Sequence, residues 1–555
     1  MSKMTGRKNC RIGVLCLMMT VFLPAIAAAQ DQASPAPGTP PTMVLPEVTV
    51  NIQDLSVENV QAMLPPAGGP PAIVKTDVIL PPAPLVAVEP PVRSLAVEGA
   101  DPLGGATSPA SPLATQATLG IGTQNRVVGD LNVTATGQNS QASLSFSHDT
   151  ADGISGHAQG SEFDTRDDSI GGSLSGRLGA FDGGFKGAYS EQEVGLQDQS
   201  ASYSSRLGRN LDGTATLRVQ PMDWLAVDGS LTGLTDSLTL AGTSPGPAQA
   251  SEYKGLAHLG ATGLWGVFSA GLFGDYTYRL AHQVTATDDQ VQRLNTGIKL
   301  SLNFPGSFLV EGSAAWFLSS EGASLLPFSI HVTGALLSAL TLDASFGYRV
   351  TTYDEGDILS LNPYLIPVGL ADDHGWFGDA GVQLALADAF SVNVGLSFMA
   401  STAMLTSDAF AAGPASTLDG LFLVNQVAAN RLTGNAGVRW TIIPGVTLNG
   451  EWKREFMDRS SFAPVDTITA EAIAMETTGA YGGRAGMTWL TGLPPSAQLP
   501  ELDVGGFVRL SEPAQLHLDL YDLLWPLLGG NRYGPSLYPY VEPGFRVVAS
   551  LRLSF

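Results

Sequence analysis

The side chains best suited to ligate a metal or move a proton in this 555-residue chain are seven histidines: His148, His157, His258, His282, His331, His374 and His517. No two stand at metal-ligand spacing. His517 shares a strand face with Asp519, and Asp372-Asp373-His374 forms an acidic cluster, but neither supplies the Ser/His/acid constellation of a nucleophilic hydrolase. Asp164-Thr-Arg-Asp-Asp168, Asp288-Asp289 and Asp354-Glu-Gly-Asp357 are further acidic clusters. Calcium takes several carboxylate and carbonyl oxygens, so these could hold a divalent cation, yet their spacing matches no calcium-loop motif. Solvated loop tips are the plainer reading. The sequence therefore points away from an enzyme and calls for no cofactor and no metal.

Cysteine chemistry is excluded by position. Lys3, Arg7, Lys8 and Arg11 precede an apolar run from Ile12 to Ala25, and Ala27-Ala28-Ala29 offers a small-residue cleavage site. Residues 1–29 read as a secretory signal peptide. Both cysteines, Cys10 and Cys16, lie inside it, so the exported chain would carry no disulfide and no thiolate. Its removal leaves 24 Lys and Arg against 51 Asp and Glu, which takes the formal charge from −23 to −27. Such an acidic chain is a poor partner for nucleic acid or anionic lipid.

Charged residues make up only 14% of the chain and apolar residues 44%, with 64 glycines. Ordinary soluble domains carry about 25% charged residues. Few charges without an excess of apolar residues is what strands with one lipid-facing and one water-facing side would give. No run reaches the 18 apolar residues of a membrane helix, so a membrane-spanning form of this chain has to be a closed barrel.

Period-two alternation recurs from about Gln116 to Phe555. Leu340, Leu342, Ala344, Phe346, Tyr348 and Val350 oppose Thr341, Asp343, Ser345, Gly347, Arg349 and Thr351; Phe390, Val392, Val394, Leu396 and Phe398 oppose Ser391, Asn393, Gly395 and Ser397. The last strand repeats it, with Phe545, Val547, Ala549, Leu551, Leu553 and Phe555 on one face and Arg546, Ser550, Arg552 and Ser554 on the other. Tight turns near 180–184, 221–224, 305–307, 338–340, 388–390 and 444–446 alternate with longer loops. The expected fold is all-β, a large transmembrane antiparallel barrel of about 18–22 strands. Two short segments stay ambiguous: 491–503 as a turn or an outer loop, and 511–514 as a turn or a bulge. Trp224, Trp265, Trp440, Trp489 and Phe555 are expected near the turn side, with Tyr276, Tyr278, Trp316, Tyr348 and Trp452 further along their strands, as interface girdles require. Facing the lumen are Asp343, Arg349, His517, Asp519, Arg546 and Arg552; the two acids would favour cations, which the arginines temper.

Residues 30–115 are rich in Pro, Ala and Gly and cannot bury enough to fold alone, so they read as a disordered arm. One island interrupts it at 45–54, where Val48, Val50 and Ile52 alternate with polar residues.

Leu516-His-Leu-Asp-Leu-Tyr-Asp-Leu-Leu524 and Val541-Glu-Pro-Gly-Phe-Arg546, followed by the last strand, are similar to the end of TonB-dependent receptor barrels of bacterial outer membranes. Asp522-Leu-Leu524 stands where that family has an Asn-Leu-Phe-like turn, and Pro543-Gly-Phe-Arg546 where it has a Pro-Gly-Arg-like motif. The resemblance implies an outer-membrane barrel that moves or binds a solute, with short turns and the arm in the periplasm, long loops outside, and lipid and lipopolysaccharide around it. It makes Phe555, Leu553 and Leu551 the signal read by the barrel-assembly machinery. Glu47-Val48-Thr49-Val50 resembles the TonB box, a segment captured by strand addition, and this adds TonB as a partner; a β-prone patch that packs on the arm is the other reading. The family's folded plug has no counterpart among residues 30–115. A structural or surface-interaction barrel with acidic outer loops is the alternative function.

Overall fold

The computed structural model describes residues 113–154, 157, 162–242, 248–282, 288–304, 308–366, 370–386, 389–406, 417–418, 421–423, 425–457, 465–491, 499–527 and 540–555. The signal peptide, nearly all of the arm and Glu47–Val50 lie outside them.

Alternating sequence becomes a closed antiparallel barrel. Strands follow one another around the wall from Leu113–Gly122 to Arg546–Ser554 in a 23-stranded sheet. One of these, Ser324–Leu325, is a two-residue spur at a hairpin end, which leaves 22 spanning strands. The first strand pairs with the last from Gln116↔Ser554 to Gly122↔Val548, so no edge remains. Phe555 and Thr115 exchange backbone hydrogen bonds of 2.8 and 2.9 Å at the foot of this seam.

Tight turns gather at one end of the wall and loops at the other. Gly266, between Ala248–Trp265 and Phe268–His282, has φ of 62°, and Gly445, between Asn425–Ile443 and Val446–Met457, has φ of 87°. At Gly445 a Cβ would meet the Met475 carbonyl oxygen, so only glycine fits this turn. Ser511–Ala514 is a tight turn between Glu501–Ser511 and Ala514–Tyr521; of 491–503, residues 501–503 open the strand Glu501–Ser511 and 492–498 lie outside the described residues.

Apolar residues of each strand face away from the lumen. Leu259 and Leu272 are each 66% exposed and Phe346 is 52% exposed, a surface that lipid must cover. Trp224 and Trp265 stack at the turn end. Trp316, Trp376 and Trp452 stand toward the loop end, where Trp452 Nε1 donates to Asp466 Oδ1 at 3.0 Å. Trp489 corrects the expected girdle. It ends the strand Tyr481–Leu490, opposite Ile468, and therefore lies at the loop end, because the turn after Met475 reverses the chain one strand earlier than its position suggests.

Candidate functional site

Three loops fold inward over the loop-end mouth of the barrel. The first carries a short helix, Glu355–Leu361, begun by a capping box in which Asp354 accepts from the Asp357 amide and Asp357 accepts from the Asp354 amide. Beyond it, Leu365–Ile366 pairs in parallel with Leu421–Leu423 of the second loop. Tyr540 of the third loop completes the layer. Ile358, Tyr364, Leu365, Leu421, Phe422 and Tyr540 are buried together against the inner-wall residues Leu238 and Leu240, and form an apolar roof. Gln197 clamps its edge, donating to the Tyr364 hydroxyl and the Val541 carbonyl while accepting from the Val541 amide at 2.7 Å.

The helix is seated on Lys254, Glu252 and Arg279 of the wall. Lys254 Nζ donates to Asp354 Oδ2 at 2.7 Å, and Arg279 Nε and the Glu355 amide both donate to Glu252 Oε2, at 3.0 and 3.2 Å. The Glu355 carboxyl has no hydrogen-bond partner on either oxygen and is 1% exposed. Burial raises its pKa to about 8, helped by the negative charges of Glu252 and Asp236. Arg206, also 1% exposed, lies under the roof with Nε and Nη1 unpartnered.

Below the roof, inward acids are mostly paired. His258 has Nδ1 2.5 Å from Asp275 and Nε2 3.0 Å from Asp228. A neutral imidazole has a single N–H, so it can donate to only one of these two carboxylates at a time. His331 has Nε2 2.7 Å from Asp343, while Glu311 lies 3.6 Å from Nδ1, beyond hydrogen-bond reach.

The six lumen candidates have these neighbours. Asp343 meets His331, and Asp519 meets Arg484 at 3.3 Å. His517 stacks on Phe507, Arg546 lies 5.0 Å over the Tyr521 ring, and Arg552 lies against the Gln116 amide. His517 and Asp519 thus have different neighbours in Phe507 and Arg484. The acidic clusters are structural as well: Asp168 meets His148 and Arg166, Asp372 meets Arg293, and Asp373 accepts from Ser401. Among the described residues, no group of three His, Asp or Glu side chains could hold a metal ion.

Arg349 opens onto a recess of about 390 Å³ in the wall, lined also by Phe273, Phe317, Phe377, Arg293 and Asp275. Arg431 and Met399 connect to it through Arg349, because both guanidinium groups turn toward the Met399 sulfur. Strand parity could have found Arg431, since it opposes the lipid-facing Val438 and Trp440; nothing in the sequence shows that it converges with Arg349.

No protein-family profile and no curated protein matches the chain. Solved structures do. The ferric enterobactin receptor PfeA superposes with a TM-score of 0.62 at 11% identity, over 81% of this chain and 82% of that one. A variant of that receptor from Pseudomonas aeruginosa gives 0.60 at 13% identity, over 81% of each chain. The FrpB iron transporter from Neisseria meningitidis gives 0.62 at 10%, over 80% and 82%. The barrel fold is theirs. A TonB-dependent-receptor-like barrel is what the C-terminal motifs implied, and among the described residues no folded plug occupies its lumen.

Proposed function

We propose that this protein is an outer-membrane barrel that takes up or holds a solute beneath a loop roof, with its loops outside and its turns and arm in the periplasm. The wall recess at Arg349 carries this reading, because it offers charged and aromatic side chains on a scaffold with no open edge. Lipid and lipopolysaccharide surround the apolar belt, and the assembly machinery reads Leu551, Leu553 and Phe555. The neighbouring structures are named as receptors and an iron transporter, which supports binding and transport rather than catalysis. Purified protein in liposomes tests this: uptake of a small sugar, measured by swelling, is expected, and a folded barrel that admits none contradicts passage.

TonB-driven uptake is a further part of the proposal, since the roof stands over the loop end of this path. An extended Glu47–Val50 would gain main-chain hydrogen bonds only by adding to a partner's strand edge. Proline cannot donate such a bond, so Val48→Pro should abolish crosslinking of a Thr49→Cys variant to TonB. Crosslinking that survives the proline removes this part of the proposal.

A further inference from the structure

Arg349 and Arg431 stand apart from the other charges of the lumen. Arg293 in the same recess is bound to Asp372, and Asp275 is held by His258 and Asn295. Arg349 and Arg431 have no carboxylate partner among the described residues; their Nη2 atoms lie 2.8 and 3.8 Å from the same atom, Met399 Sδ. Two guanidinium groups facing one another across one sulfur repel, and an oxyanion placed between them relieves that repulsion and accepts from both. The arrangement is the more specific in a chain whose formal net charge is −23, where carboxylates outnumber basic side chains.

The surroundings add a second requirement. Phe377 lies under the Arg349 guanidinium at 5.2 Å, and Phe273 and Phe317 complete an aromatic lining. A recess of about 390 Å³ sits at the small end of ligand sites, which run from about 300 to 1,000 Å³. We propose that the recess binds a small aromatic carboxylate, with its carboxylate between Arg349 and Arg431 and its ring against the phenylalanines. The inference rests on the solute-barrel reading and names the class of solute.

Benzoate is the probe, titrated by calorimetry into the full-length protein in detergent micelles, with folding checked by heat-modified mobility. Saturable binding is expected, at least tenfold weaker for benzamide, acetate and inorganic phosphate. The double variant Arg349→Gln, Arg431→Gln should keep the mobility shift and lose benzoate binding at least tenfold. Benzamide, acetate or phosphate binding as well as benzoate, a double variant that binds like the parent, or a folded barrel that does not bind benzoate would each overturn the assignment. Sugar-driven swelling with the same preparation separates that failure from failure of the barrel as a solute path.

Discussion

Tyr364 lies flat on Tyr540, with ring centroids 3.5 Å apart and planes 6° from parallel. The two residues belong to loops that leave the wall at different places, after Leu340–Thr351 and after Ala514–Tyr521, and Phe422 of a third loop meets Tyr540 edge-on at 5.8 Å. One ring therefore holds three loops over the mouth. Tyr540→Ala removes this contact and leaves a cavity, at a cost of about 3–5 kcal/mol by the range for large aromatic truncations. Outer loops should become protease-sensitive while the heat-modified mobility of the barrel is unchanged. Loops as resistant as those of the parent would show that the stack does not hold the roof.

Roof closure should loosen as pH rises. With Glu355 docked, its carboxyl keeps a proton up to about pH 8, whereas an undocked glutamate releases it near 4.5. The docked state binds the extra proton, so docking is unhindered below about 4.5 and weakens between there and 8, by about 1.4 kcal/mol per pH unit. Glu355→Gln should flatten that dependence, leaving the part carried by Asp357, which burial in the same helix pushes up to about 7. Limited proteolysis across the range reads it; an equal slope in the variant assigns the proton elsewhere.

Arg206 stands on the opposite side of this ledger of charges, a buried cation with unpartnered donors in an apolar layer. Arg206→Met fills similar space without those donors and should stabilise the roof by about 1–3 kcal/mol, the usual cost of unsatisfied buried polar groups. Slower hydrogen exchange at Leu196 and Tyr364 is the expected readout. Faster exchange would mean that the guanidinium supports the roof.

The seam is the next place to test. Phe555 closes the barrel through its backbone exchange with Thr115, and it is 70% exposed on the lipid side. Phe555→Asp keeps the backbone pairing within reach but places a charge at the membrane interface and removes the proposed assembly signal. Folded barrel in the outer-membrane fraction should fall severalfold. Parental levels of folded variant would reject the role of this strand.

The wall was legible because every strand repeats one rule, apolar out and polar in, and tight turns carry glycine or proline at several places. Strand number was harder. Ser511–Ala514 lacks a turn glycine, and the turn after Met475 had to be recognised before Trp489 could be assigned to an end. The partners of Asp343 and Asp519, His331 and Arg484, depend on register between strands. Least legible was the roof: Tyr364, Phe422 and Tyr540 are far apart in sequence, and no local period records that they meet. Arg349 and Arg431 share that difficulty, since convergence on Met399 follows from the stagger of four strands.

Single-channel recording of the full-length protein in planar bilayers, at pH 5 and pH 8, tests the roofed solute barrel most directly. Discrete conductance steps are expected at pH 8, with rarer or smaller steps at pH 5, where the Glu355 helix stays docked. A folded, heat-modifiable protein that is silent at both pH values would contradict an aqueous path through this barrel.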